Sequence, residues 1–192
     1  MEEMCGLFDI ADVNKSASAI NPDKLAWINR QHLMHLPPAR IAQELRWQLD
    51  RLGVSVEGGP ALEAVVEAQR ERAKTLREMA QASRFFFQAP AGYDDKAARK
   101  HLTPETRPVL ESARAALAAL SDWSAAAIHG AIQALAEGGG VGLGKVAQPL
   151  RVAVSGGGVS PPIDQTLAIL GQGETLARLD RAIDHARRVG GT

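Results

Sequence analysis

Helix punctuation is the feature that most limits what this chain can become. Asn21-Pro22-Asp23 supplies a cap, a first-turn proline and an acid near the positive end of a helix dipole. Pro37-Pro38 ends that helix and begins another, and Gly53 fits the position just past its end. Gly58-Gly59-Pro60 marks a boundary. Thr103-Pro104-Glu105 opens a further helix, Ser121 or Asp122 caps the next, and Gly138-Gly139-Gly140 stops it. Strand signals are confined to Val54–Val56 and Leu150–Val154. The expected fold class is therefore all-α.

Apolar residues between these signals recur at helical spacing. The helix after Asn21 carries Leu25, Ile28, His32 and His35 or Leu36 along one side, and the next carries Ile41, Leu45, Leu49 and Leu52. From Leu62 to Phe87 the set Leu62, Val65, Val66, Gln69, Ala73, Leu76, Ala80, Ser83 and Phe87 fits one continuous helix. Gln88–Asp95, QAPAGYDD, contains Pro and Gly and reads as a linker between two helical units. Beyond it, Leu110, Leu117 and Leu120 share one helix, and Trp123, Ile128, Ile132 and Leu135 form the apolar face of the next. Two more helices cover Ile163–Leu170 and Glu174–Arg188. A short helix over Glu2–Phe8 and a connector over Asp9–Ile20 complete the reading.

Composition excludes several functions. With 22 basic and 22 acidic side chains in 192 residues the net charge is zero, so any contact with nucleic acid must come from a local basic patch. Cys5 is the only cysteine, which rules out a disulfide framework or thiolate cluster. No apolar run approaches the roughly 18 residues of a membrane span. The acidic N-terminus is not a secretory signal, so a cytoplasmic protein is expected. Gly139–Lys145 nearly spells a phosphate-binding loop, but Val146 stands where Ser or Thr would hold magnesium. His32 and His35 lack further ligands for a metal, and no nucleophile groups with a base and an acid. The chain is expected to have no catalytic residue, metal or cofactor of its own.

Two stretches remain as binding candidates. Gly144–Ile163 runs helix-like through Arg151 to Val154, breaks at Gly156-Gly157-Gly158 and restarts at Ser160-Pro161-Pro162. Ser160 has the side chain of an N-cap, Pro161 suits the first helical position, and the glycines allow close approach of another molecule. This pattern fits a polar or anionic ligand at a loop and helix start, and equally an ordinary helix–turn–helix corner. The second stretch is basic. On one continuous helix Arg70, Lys74, Arg77 and Arg84 form a stripe, with Arg72 at the edge of the apolar face. Such a stripe suits phosphates, or simply water.

Four separated segments carry a family resemblance. Leu7–Asn29 (LFDIADVNKSASAINPDKLAWIN), Glu71–Phe87 (ERAKTLREMAQASRFFF), Gly144–Gly156 (GKVAQPLRVAVSG) and Leu170–Ile183 (LGQGETLARLDRAI) resemble, in order, the C-terminal half of bacterial glutamyl-tRNA synthetase. Ile20, where the family usually has an aromatic, and Pro162 after Pro161 depart from its pattern. The ATP-site motifs of HIGH and KMSKS type are absent from this sequence. The resemblance implies the end of the stem-contact region over residues 1–56 and an all-helical anticodon-binding part in two subdomains, 57–93 and 94–192. The intact enzyme of this family joins glutamate to its tRNA with ATP and magnesium; this chain is expected only to bind, and to be inactive as a ligase.

The resemblance also assigns residues. Arg72 lies in the R-x-K-T-L-x-E setting where an arginine of the family reads the third anticodon base, a cytosine. Arg151, Ser160, Pro161 and Ile163 match positions that line the pocket for splayed anticodon bases. The implied partner is the anticodon loop of glutamate tRNA, with no DNA or membrane partner and a monomeric chain. A helical protein-interaction scaffold without an RNA-binding role is the alternative.

Overall fold

In the computed structural model, residues 21–189 are described, together with Gly6, Leu7, Asp9 and Ala11. The helix expected over residues 2–8 and the connector over 9–20 fall almost wholly outside the described residues. The described residues form ten α-helices and no strand. They are α1 (Pro22–His35), α2 (Pro38–Arg51), α3 (Leu62–Gln69), α4 (Leu76–Phe87), α5 (Asp95–His101), α6 (Arg107–Ala118), α7 (Ala125–Gly138), α8 (Leu143–Ser155), α9 (Ile163–Leu170) and α10 (Gln172–Val189). Among the described residues no helix is long and apolar enough to cross a membrane.

The helices pack as two layers of neighbours. In the first, α2 lies across α3 and α4. Ile41, Leu45 and Leu49, three of the four apolar residues expected on α2, are buried there against Val65, Val66 and Met79. Burying each such side chain contributes about 1.5–3 kcal/mol. The line expected at 56/57 falls in the turn after α2, and helices on both sides of it share this core. In the second layer α10 runs along α6 and α8, α9 packs on α7, and α5 packs on α8. The layers meet where α9 touches α3 and α4 touches α8.

One buried cation joins them. Arg178 of α10, 2% exposed, donates from Nη1 to the carbonyl of Phe85 near the end of α4 (2.7 Å) and of Val154 near the end of α8 (2.6 Å). Its Nε meets Glu174 one turn earlier at 2.7 Å. A cation suits this place because the last carbonyls of both helices lack intrahelical partners and carry the negative end of the dipole.

Several helix boundaries differ from the sequence expectation. Ser124, rather than Ser121 or Asp122, caps α7; its Oγ accepts from the Ala127 N–H, while Asp122 accepts from the Ser124 hydroxyl. Thr103-Pro104-Glu105 forms a turn, and α6 begins at Arg107. The hydroxyl of Thr106 holds that turn by donating to the carbonyls of His101 and Thr103. On α1 the expected inner face is not buried: Leu25 is 58% and Ile28 38% exposed, and Leu33 is the helix's one buried residue. This helix meets the others through its C-terminal half, leaving its first turns without an apolar neighbour among the described residues.

Candidate functional site

The continuous helix expected from Leu62 to Phe87 is broken. The chain leaves α3 at Gln69, makes a turn over residues 70–75, and re-enters as α4. Thr75 causes the restart: its side chain accepts from the Glu78 N–H, and Glu78 accepts from the Lys74 N–H. This is close to a capping box, and Thr75-Leu76-Arg77-Glu78 is the sequence signal that marks it. The period looked unbroken because Gln69, at the end of α3, and Ala73, within the turn, are both buried.

The break redistributes the basic stripe. Arg77 and Arg84 remain on α4, seven residues and therefore about two turns apart, both exposed. Lys74 is exposed on the turn. Arg70 leaves the stripe altogether. Its guanidinium folds back onto the end of α1 and donates to the carbonyls of Leu33 (2.9 Å), Met34 (2.7 Å) and Leu36 (2.8 Å), with Glu67 at 2.9 Å. With 14% of its side chain exposed and Nε, Nη1 and Nη2 all engaged, Arg70 is an internal cap for α1 rather than part of a phosphate-facing stripe.

Arg72 projects from the same turn and is exposed. The turn beneath it is held by the Arg72 and Ala73 N–H groups, both donating to the Gln69 carbonyl. Arg151, half-buried on α8, lies within reach of its charge. Burial, and then repulsion from Arg72, hold the Arg151 guanidinium below its ordinary pKa. Neither arginine forms an ion pair among the described residues. Two like charges brought together without a counter-ion favour a group that is negative or rich in acceptors.

The 155–163 segment supports Arg151 from behind. Ser160 is buried, accepts from Arg151 Nε at 3.0 Å and donates to the Pro161 carbonyl at 2.8 Å. Thr166 reaches the same carbonyl at 3.3 Å. Ser160 is therefore not the N-cap of α9; Pro162 occupies that position without a side-chain bond, and Pro161 precedes the helix. The side chain is drawn inward because its oxygen satisfies Arg151, which would otherwise leave Nε without a partner at a half-buried site. Pro161 and Ile163 are buried beside it and act as wall rather than exposed contact.

Gly156 explains the sharp end of α8. It adopts φ 78°, and an added Cβ would lie 2.7 Å from Pro90 Cβ and 3.0 Å from the Gly92 carbonyl. The close approach expected of these glycines is thus partly to the chain's own 88–94 segment, whose Asp94 N–H donates to the Gly156 carbonyl at 2.7 Å. Between α4 and this corner lies an open cleft of about 400 Å³, lined by Gln81, Arg84, Ser155 and Val159 among others. Val159 is 76% exposed at its rim. Sequence reasoning missed Thr166 and Val159, which carry no motif and take part only through the fold.

An all-helical scaffold with an exposed arginine turn and an open cleft beside it, and no metal cluster among the described residues, has the form of a binding module. Over residues 40–183 the sequence matches the family described as "Anticodon binding domain", and the chain belongs to that family. It is 54% identical over 184 residues to glutamate–tRNA ligase 1 of Alkalilimnicola ehrlichii and 50% identical over 188 residues to glutamate–tRNA ligase 2 of Halorhodospira halophila. These matches cover 96% and 98% of this chain but 39% and 40% of those proteins, so the chain spans about two-fifths of their length. Among solved structures, a glutamate tRNA ligase from Elizabethkingia meningosepticum in complex with its amino acid matches with a TM-score of 0.82 at 32% identity. The match covers 95% of this chain and 36% of that one. Glutamate-tRNA synthetase from Elizabethkingia anophelis matches at 0.77 and 29% identity, over 92% and 34%. The resemblance stated from the four sequence motifs therefore extends through the fold.

Proposed function

We propose that this chain is the anticodon-binding part of a glutamate–tRNA ligase, and that Arg72 reads the third anticodon base of glutamate tRNA. The observation that carries the proposal is the exposed Arg72 on a turn fastened to the Gln69 carbonyl, inside the stretch that matches the anticodon-binding family and free of ion pairs among the described residues. A guanidinium has donors only. The pairing edge of cytosine offers two acceptors beside its amino group, whereas guanine, which glutamine tRNA has at this position, offers two donors. Arg72 matches the first and repels the second. Splayed single-stranded bases are the usual target of sequence-specific RNA recognition. Arg151, oriented by Ser160, supplies a second donor group, while Pro161 and Ile163 form the wall behind. Lys74, Arg77 and Arg84 lie where they can meet phosphates without regard to sequence.

The whole protein is proposed to join glutamate to this tRNA using ATP and magnesium, on a part of the molecule outside this chain. Residues 139–145 do not fit that nucleotide: they form the turn after α7 and the first residues of α8, and Val146, at the place of a magnesium-holding hydroxyl, is buried in the core at 2% exposure. Among the described residues no three His, Cys, Asp or Glu side chains group to hold a metal.

Filter binding of glutamate and glutamine tRNAs to this chain, at one salt concentration, tests the reading. Tighter binding of glutamate tRNA is expected. Equal binding of both would contradict a base-reading role, and binding of neither would favour a protein-interaction scaffold.

A further inference from the structure

The turn that carries Arg72 is fastened on its other side to α1. Asn29 Nδ2 donates to the Lys74 carbonyl at 2.6 Å, and Arg30 reaches the Glu71 carbonyl at 3.4 Å. Arg70 returns the contact by capping α1 through the carbonyls of Leu33, Met34 and Leu36. Polar bonds thus run in both directions between one short turn and one helix. They dominate this junction, because Leu33 is the single buried residue of α1. The position of α1 and the position of the turn depend on each other.

We infer that this latch, through Asn29 and Arg70, positions Arg72 for discrimination between anticodon bases. The inference rests on the proposed reading role of Arg72. A base-edge arginine selects only if its donor fork is held in one orientation, since a mobile guanidinium can swing away from a donor edge and lose the repulsion that rejects it. Bonds inside the turn, from Arg72 and Ala73 to Gln69 and from Lys74 to Glu78, fix its two ends. The latch fixes the carbonyls of Glu71 and Lys74, which flank Arg72–Ala73. Asn29 and Arg70 touch no base in this account; they are positioning residues. Any shift of α1 relative to α3 and α4 passes directly to the turn, so α1 also couples the anticodon reader to whatever holds that helix.

The test compares two anticodon stem-loop RNAs that differ only in cytosine or guanine at the third anticodon base. Binding of each to this chain is measured for wild type, Asn29→Ala, Arg70→Met, Arg70→Lys, Arg72→Gln and the double variant Asn29→Ala/Arg72→Gln. Asn29→Ala and Arg70→Met are expected to reduce the cytosine preference about threefold or more, with smaller loss of cytosine-loop affinity. Arg70→Lys should restore part of the preference. Asn29→Ala should change nothing further once Arg72 is Gln, a non-additivity that a general loss of stability does not produce. If Arg70→Met fails to fold by circular dichroism, Asn29→Ala, which removes one exposed hydrogen bond, decides alone. Full cytosine preference in a folded Asn29→Ala overturns the inference, provided Arg72→Gln has lost it. Full preference in Arg72→Gln as well overturns the reading beneath it.

Discussion

At the scale of single residues, the same side chain can be read correctly for type and wrongly for role. Arg70 and Arg72 are two positions apart and looked like parts of one basic segment. The fold turns one inward to three helix-end carbonyls and leaves the other exposed on the turn. No local pattern separates them, because the carbonyls that claim Arg70 lie 34–37 residues away in sequence. Ser160 was legible as a hydrogen-bonding residue at a helix approach, but its partner, Arg151, is a tertiary fact. Gly156 was legible as one of three glycines suited to close approach, while the identity of its close neighbour, the chain's own Pro90, was not. Gly156→Ala is expected to destabilise the protein by about 1–3 kcal/mol through its positive φ and the contact with Pro90. Urea unfolding of the variant measures this; an unchanged midpoint would mean that the corner relaxes freely.

Helices as elements were largely written in the punctuation. Asn21 caps α1 through the N–H groups of Asp23 and Lys24, as its place before Pro22 predicts. The break between α3 and α4 was hidden because burial continues through the turn, so hydrophobic periodicity carried no trace of it. Thr75-x-x-Glu78 did carry a trace, since it is a helix-start signature inside an apparently helical run. The consequence is a shorter basic face. Arg77→Ala and Arg84→Ala are each expected to weaken glutamate and glutamine tRNA binding about equally. Each should also lower the steepness of log affinity against log salt by about one. Titrations at several salt concentrations check both effects. Unchanged binding in both variants would make this face merely solvated.

For the molecule as a whole, the all-α architecture followed from the sequence, whereas the joint between the two layers did not. That joint centres on Arg178, which no sequence signal singles out within the last helix. Its carbonyl partners, Phe85 and Val154, are 93 and 24 residues away. Arg178→Met keeps much of the volume and leaves both carbonyls unpaired, so a loss of roughly 2–5 kcal/mol is expected. Thermal unfolding followed by circular dichroism reads that loss, and a variant as stable as wild type would remove Arg178 from the joint.

The central claim is that Arg72, on the turn between α3 and α4, reads a base. Its most direct measurement is the binding of glutamate and glutamine tRNAs to wild type and to Arg72→Gln at one salt concentration. Gln offers one donor and one acceptor and can accommodate cytosine or guanine. Discrimination between the two tRNAs should fall by roughly 1–3 kcal/mol, more than affinity for glutamate tRNA falls. An unchanged preference for glutamate tRNA in Arg72→Gln would contradict the account and move specificity to the segment around Arg151 and Ser160.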